Sequence, residues 1–389
     1  MSITGTSKRL CGHDLQRAFR LRYTGGPAGA TGRERDTALK TGRDRLAWLA
    51  VGLAISVAAL AYLIVGLWGA WGGLWAAVRE ARYGYVVASV ALLAVMYALR
   101  VVRWRVLLQP VGDVAWGAIA GATCIGFMSS CVLPLRPGEL IRPYALHRLG
   151  GVSFGDAAGT AVGLERVLDL FGVCCLVLLT WALLRGEPSN ADFVAVLVDR
   201  GIWFAALTAV GLGGLGFLAF FPRPSMRAAR FVLRPVPSPL RSRLLGFTGS
   251  ATRSMEFLRG PRRVLVAAVL SLAVWMMFPL STYALAHAFD LRLGFAAALV
   301  VQVCVLAAVA LPQAPGFIGP FHVATLKATE LFGVGQGDAG AFAMMLWAVN
   351  VVPITVAGLA FLRRERLNLL ELADASAEAA DRVDAPTAG

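Results

Sequence analysis

Charged side chains inside apolar stretches are the residues of this sequence best suited to chemistry. Two groups stand out, one beside a proline motif and one near the start of a long apolar run: Arg136, Glu139 and Arg142, then Glu165, Arg166 and Asp169. An ionisable side chain is costly at membrane depth, so each one suggests a function and a charged partner. Arginine presents a planar fork of N–H donors that suits phosphate or carboxylate. The two groups therefore predict an anion-binding site, with carboxylates pairing with the arginines when the site is empty.

Spacing indicates which of these side chains share a helix face. Glu139 and Arg142 are three positions apart, and Glu165 and Asp169 are four apart. Both spacings place side chains on the same side of a helix. The alternative for both groups is structural, with the charges pairing with each other and locking the helices together.

Further polar residues follow a later proline motif. His322, Lys327 and Glu330 lie shortly after it, and Asn350 lies in the last apolar run. Histidine titrates near neutrality and could take part in function, although a lone histidine in an apolar setting is more often structural. Lys327 could extend to the membrane surface along its apolar stem.

Composition indicates that these charges belong to a membrane protein. The chain has 389 residues, of which 58% are hydrophobic and 15% are charged, whereas soluble domains have about 45–50% and about 25%. The net charge of +14 comes from basic residues that flank apolar runs. Cytoplasmic loops that face anionic lipid have this pattern, so we expect no nucleic-acid partner. Cysteine and histidine spacing matches no metal site, and we expect no cofactor.

Apolar runs long enough to cross a bilayer predict about six full spans. They cover residues 46–69, 84–101, 160–184, 201–221, 263–288 and 339–362. Two further apolar segments, 114–133 and 295–311, end in clusters of proline and glycine. Proline breaks the helical hydrogen-bond ladder, and freed backbone groups must face protein or water. We therefore expect an all-α polytopic fold with two additional re-entrant broken-helix hairpins, over residues 114–150 and 295–333.

Charge bias orients these segments and divides the chain. Residues 1–45 predict a basic, disordered cytoplasmic tail, and 366–389 predict a cytoplasmic C-terminal tail. Between them, residues 46–365 form the transmembrane domain, whose halves 46–221 and 263–365 are joined by a basic cytoplasmic loop at 222–262. Two arginines at the end of an apolar run are most simply explained as anchors at the cytoplasmic surface: Arg100 and Arg103.

The two proline motifs belong to an internal repeat. Leu133-Pro134-x-x-Pro137-Gly138 matches Leu311-Pro312-x-x-Pro315-Gly316, and Gly155-Asp156-Ala157 matches Gly337-Asp338-Ala339 in the same order. Charge bias predicts that the first hairpin opens to the cytoplasm and the second to the outside. Inverted repeats with broken helices that meet near the midplane are typical of transporters. The alternative is a chance match, because proline, glycine and alanine are common in this sequence.

These motifs together resemble the lysylphosphatidylglycerol synthase transmembrane family, also called flippase-like membrane proteins. The resemblance covers about residues 48–365. It lies in Arg100-x-x-Arg103-Trp104, Leu133-Pro134-Leu135-Arg136-Pro137-Gly138-Glu139-x-x-Arg142, Glu165-Arg166-x-x-Asp169 and Leu311-Pro312-x-x-Pro315-Gly316-x-x-Gly319. Two positions depart from the family pattern: Ser130-Cys131 replaces a frequent Asn, and Phe321-His322 replaces a frequent Glu. If that Glu couples protons, then either His322 replaces it or the coupling is absent.

The resemblance implies a lipid translocase with a central site. The expected substrate-binding residues are Arg103, Arg136, Glu139, Arg142, Glu165, Arg166, Asp169, Pro315, Gly316, Gly319, His322 and Asn350. Some relatives also carry a soluble aminoacyl-transferase domain, which these residues do not include, so we expect no enzyme activity.

We therefore expect a translocase that moves an anionic or modified lipid across the cytoplasmic (inner) membrane. Its partners would be that lipid and the bilayer, with both termini cytoplasmic and homo-oligomerisation left open. Two alternatives stay open: a transporter of a soluble anionic solute, and a non-transporting scaffold for a lipid- or glycan-modifying enzyme.

Overall fold

The computed structural model of the protein describes residues 71–133, 136–185, 260–310 and 315–383, and every regular element in these ranges is a helix. Four helices are long and apolar enough to cross a membrane: α2 (Tyr83–Leu108), α5 (Phe154–Leu184), α6 (Pro261–Ala288) and α9 (Gln336–Arg364). The others are shorter: α1 (Trp71–Glu80), α3 (Trp116–Val132), α4 (Gly138–Gly150), α7 (Phe295–Ala310), α8 (Pro320–Glu330) and α10 (Leu369–Val383).

The four long helices correspond to four of the six predicted spans. They extend the predictions 84–101, 160–184, 263–288 and 339–362 at one or both ends. The largest extension is at the end of α2, where the helix continues past Arg100 and Arg103 to Leu108. The predicted spans 46–69 and 201–221 lie outside the described residues, as do residues 1–45 and almost all of the loop 222–262. The total of six spans stays a prediction.

Helices α2 and α6 form an antiparallel pair. The hydroxyls of Ser89 and Ser281 are 2.7 Å apart, and Arg103 Nη1 donates to Ser271 Oγ at 2.9 Å. Residue numbers thus rise along α2 as they fall along α6. The segments that follow the C-terminal ends of α2 and α6 therefore begin at opposite ends of the pair.

Each of those segments consists of a helix, an interruption at the proline motif and a second helix. The interruption between α3 and α4 is called the first break, and the one between α7 and α8 the second break. Helix α3 packs against α4, and α7 packs against α8. Helices α3 and α7 have 17 and 16 residues, which is short of the roughly 20 that span a bilayer core. In both 114–150 and 295–333 the second helix thus packs against the first. Re-entrance into the membrane, entry from opposite membrane faces and the inverted repeat stay predictions.

A glycine sets the close approach of the two limbs in the first hairpin. A Cβ atom on Gly126 of α3 would overlap the Cβ of Arg142 on α4. The contact therefore holds Arg142 against α3. Around it, Trp104, Ile125 and Ile141 are fully buried in one apolar cluster.

The last helix lies within the segment predicted as a C-terminal tail. Helix α10 packs against α4, and Leu372 is buried in the contact. Part of residues 366–389 is thus an ordered helix attached to the first hairpin. Its cytoplasmic placement stays a prediction.

Candidate functional site

Glu165 is the centre of a buried ion-pair cluster. Its Oε1 lies 2.7 Å from Arg103 Nη2 on α2, and its Oε2 lies 2.6 Å from Arg142 Nη1 on α4. All three residues are buried. A charge taken out of water needs close, hydrogen-bonded partners, and each carboxylate oxygen has one here. The two charged groups singled out in the sequence therefore meet in space.

Asp169 extends the cluster by one helical turn. Arg103 Nη2 lies 2.8 Å from its Oδ1, and Arg100 Nη1 lies 3.6 Å from its Oδ2. The indole N–H of Trp275 also donates to Oδ1, at 3.2 Å. Trp275 comes this close because residue 172 is glycine: a Cβ there would overlap the indole ring. The predicted sharing of a face by Glu165 and Asp169 is confirmed.

The cluster carries an excess of positive charge. Three guanidinium groups (Arg100, Arg103, Arg142) face two carboxylates (Glu165, Asp169), which leaves one positive charge. Burying an uncompensated charge is unfavourable. An anion that reached the cluster would neutralise it.

Arg142 has two donors that no described residue accepts. Its Nε and Nη2 are buried and make no hydrogen bond within the described part of the chain. The guanidinium carbon lies 4.0 Å from the centre of the Trp104 ring and 5.2 Å from that of Phe127. The two rings hold the guanidinium in place while Nη1 binds Glu165, so the remaining donors have a fixed direction.

Interpreting Arg100 and Arg103 as surface anchors is wrong. Arg103 is 0% exposed and Arg100 is 5% exposed. Both arginines turn inward because Glu165 and Asp169 provide partners on α5. Arg100 was not among the expected site residues, and the signal that could have found it is its three-residue spacing from Arg103.

Helix α5 changes geometry just before the cluster. Residues Gly159–Leu164 form a π-helical segment that ends at Glu165. Within it, Thr160 Oγ1 accepts a hydrogen bond from Trp104 Nε1 at 3.1 Å. Single π-helical turns inside α-helices are frequent at functional sites. Here the segment ends directly before Glu165, and its bond to Trp104 attaches it to α2 beside the cluster.

Glu139 and Arg142 do not act together, although they were expected to share a face. Glu139 is exposed and pairs with Arg166 at 2.6 Å, whereas Arg142 is buried. Three helical positions still separate the side chains by about 60° around the axis, and the buried face of α4 ends between them. Glu139 and Arg166 therefore form a separate, half-exposed pair at the edge of the cluster.

Arg136 connects the two hairpins rather than joining the cluster. It has a left-handed backbone with φ of 54°. Its guanidinium donates to the Val309 carbonyl on α7, and its Cζ lies 5.0 Å from the Phe317 ring centre. The first break thus contacts the second.

The second break contains three of the expected site residues. Pro315 and Gly316 lie in a short 3-10 turn, Pro315–Phe317, and Gly319 precedes α8. Gly316 and Gly319 have φ values of 77° and 97°, a region that favours glycine. Trp347 on α9 donates to the Gly316 carbonyl at 2.5 Å. These residues shape the backbone of the break, and their side chains provide no charge.

His322 and Asn350 lie apart from the arginine cluster. His322 is buried, its Nδ1 bonds to none of the described residues, and its ring centre lies 5.7 Å from that of Trp347. Asn350 Nδ2 donates to the Leu346 carbonyl at 2.8 Å. Lys327 and Glu330 pair at 2.7 Å near the surface. Among the described residues, the ion-pair cluster therefore takes its charged side chains from the first half.

A cavity of about 160 Å³ lies between the two hairpins. Helices α2, α3, α6, α7, α8 and α9 and the second break all contribute to its wall. Its polar lining residues are Tyr97, Arg100, Ser130, Gln302 and Asn350. Arg100 belongs both to this wall and to the ion-pair cluster, so the cluster borders the cavity. The volume is ample for water and below the about 300–1,000 Å³ of typical ligand pockets.

The described residues bring together no three His, Cys, Asp or Glu side chains that could hold a metal ion.

Comparison with known proteins gives a family match. A family model described as the lysylphosphatidylglycerol synthase TM region matches residues 49–358. No curated protein and no solved structure matches the chain. The matched range includes the cluster, both breaks and the cavity.

Proposed function

This chain belongs to the lysylphosphatidylglycerol synthase transmembrane family, and from that membership we propose that it moves an anionic lipid from one leaflet of its membrane to the other. The observation that supports this most directly is the excess positive charge of the buried cluster, together with the two unpartnered donors of Arg142. An anionic headgroup would supply both the missing charge and the missing acceptors.

In this proposal the headgroup phosphate binds at the border between the cluster and the cavity. Arg142 and Arg100 donate to it, and Glu165 and Asp169 keep the arginines in position whether the site is full or empty. The acyl chains stay in the lipid, because a cavity of about 160 Å³ holds a small polar group and not a lipid tail. Helices α4 and α8 both start without a side-chain cap, and their N-termini add partial positive charge near the breaks.

Movement between leaflets would come from rocking of one hairpin against the other, as in transporters built from repeats. The two breaks contact each other through Arg136 and Phe317, which supports a coupled movement of the two hairpins. We place the protein in the cytoplasmic membrane with both termini inside, and we propose that it performs no chemical step on the lipid.

Reconstitution tests this function. The protein is placed in liposomes with acyl-labelled phosphatidylglycerol, and a membrane-impermeant quencher reports label that reaches the outer leaflet. We expect faster exposure of label than in protein-free liposomes. Equal rates would contradict lipid translocation.

Two further arms separate the alternatives. Accumulation of radiolabelled glycerol phosphate in sealed vesicles, without lipid movement, would indicate a transporter of a soluble anion. Absence of both activities, with a stable complex between this protein and a lipid- or glycan-modifying enzyme, would indicate a scaffold.

A further inference from the structure

Gln302 is a buried residue whose side-chain amide indicates which chemical groups the lipid headgroup carries. It lies on α7, whose other residues are apolar or small, and it is 7% exposed. Its side chain lines the cavity and makes no hydrogen bond with any residue that the structure describes. An amide that faces a cavity needs a hydrogen-bond partner inside it, because an unmade hydrogen bond costs free energy. Its position is favourable when a molecule in the cavity supplies the partner.

The rest of the cavity wall offers neutral hydrogen-bonding groups. The Tyr97 hydroxyl lines it, and so does Asn350, whose amide N–H is used by Leu346 and whose oxygen is left to accept. No carboxylate lines the cavity among the residues described, and its one charged lining residue is Arg100. Amide and hydroxyl groups of this kind pair well with the hydroxyls of a polyol.

A cationic headgroup finds no carboxylate here. Ammonium groups bind most strongly to carboxylates, and none lines the cavity among the residues described. Two aromatic rings of the wall already face guanidinium groups, since Phe127 lies 4.9 Å from that of Arg100 and Phe317 lies 5.0 Å from that of Arg136. The excess positive charge of the neighbouring cluster would also repel a second cation.

We propose, on the premise of the lipid transport set out above, that the headgroup is an uncharged polyol joined through a single phosphodiester. Its one negative charge matches the one excess positive charge of the cluster. Its hydroxyls bond to Gln302, Tyr97 and Asn350. A glycerol or sugar phosphodiester fits this description, and a lipid whose headgroup carries an ammonium does not.

The order of transport among labelled lipids tests this proposal. Liposomes carry acyl-labelled phosphatidylglycerol, phosphatidylcholine or lysine-esterified phosphatidylglycerol, each with the full-length protein. We expect phosphatidylglycerol to move fastest. If either ammonium lipid moves as fast as phosphatidylglycerol, the headgroup assignment is wrong while translocation stands. If none moves faster than in empty liposomes, the proposed function itself fails.

Two substitutions of Gln302 make the test residue-specific. Gln302→Leu should lower the preference for phosphatidylglycerol over phosphatidylcholine by about three- to tenfold, the value of one hydrogen bond. Gln302→Glu places a carboxylate in the cavity and should shift the preference toward the lysine-esterified lipid. Gln336→Leu and Gln336→Glu, at the exposed start of α9, are the matched controls and should change neither preference. Unchanged preferences in folded Gln302 variants would overturn the role of this residue.

Discussion

Arg142 Nη1 lies 2.6 Å from Glu165 Oε2, and this contact joins the first hairpin to helix α5 at a place where both side chains are buried. The same guanidinium keeps two donors without a partner. Arg142 therefore holds the hairpin through one edge, and the other edge is the one that we propose binds the ligand. Its two roles can be separated experimentally, because Glu165 has a second partner in Arg103.

Loss of the Glu165 charge should destabilise the protein. Glu165→Gln leaves three buried guanidinium groups facing one carboxylate, and removing one partner of a buried pair costs roughly 3–5 kcal/mol. Thermal unfolding in detergent should show a clearly lower Tm. Glu139→Gln is the control, since its half-exposed pair with Arg166 is worth about 1 kcal/mol or less. A Glu165→Gln variant as stable as the control would contradict the claim that the buried ion pairs of Glu165 stabilise the protein.

Combining two changes should recover part of that stability. In Glu165→Gln with Arg142→Leu, the excess charge returns to one, as in the native cluster. We expect the double variant to lose less free energy of unfolding than the two single variants lose together. The difference should be roughly 0.5–3 kcal/mol, the range for residues in one network. Unfolding of the two single variants and the double variant measures this coupling. Strict additivity would mean that Arg142 and Glu165 do not interact.

Gly172 should tolerate no larger side chain. Gly172→Val would push its Cβ into the Trp275 indole and move that indole away from Asp169. Overpacking of this kind costs about 1–3 kcal/mol, and unfolding temperature is the measurement. Gly117→Ala, on the exposed start of α3 where an added Cβ meets nothing within 4 Å, is the matched control. Equal stability of both variants would show that Trp275 of α6 does not pack closely against Gly172 of α5.

The sequence predicted the carboxylates of the site better than its arginines. The spacing of Glu165 and Asp169 is local information, and one helix satisfies it. Burial of Arg100 and Arg103 is not local: it depends on α5 and α6 packing against α2, with partners such as Glu165 and Ser271. Charge patterning alone therefore favoured the membrane surface for both arginines.

The second half was harder to interpret for the same reason. The proline–glycine cluster that ends at Gly316 correctly marked the break, because proline and a glycine with positive φ are local signals. Whether His322 joins the charged residues depends on which face α8 turns inward, and that face packs near Trp347 instead. Helix α10 was taken only as a tail, since its short amphipathic pattern gives no indication that it packs on α4.

The two hairpins should open to opposite sides of the membrane. Single cysteines are introduced at Asp113, after α2, and at Arg292, after α6, in a cysteine-free background. Both positions are exposed, and α2 and α6 run antiparallel. An impermeant thiol reagent should label Asp113→Cys from the cytoplasmic side and Arg292→Cys from the outside. Labelling of both from one side would rule out the inverted arrangement.

Arg142→Leu gives the most direct test of an anion site at the buried cluster. The substitution leaves two guanidinium groups facing two carboxylates, so the variant should fold, while Arg82→Gln at an exposed pair with Asp290 serves as the control. Because a hydrogen bond to a charged group is worth about 1.5–3 kcal/mol, translocation of labelled phosphatidylglycerol should fall by roughly tenfold or more. The control should match the native rate. Native-rate translocation by folded Arg142→Leu protein would contradict the account.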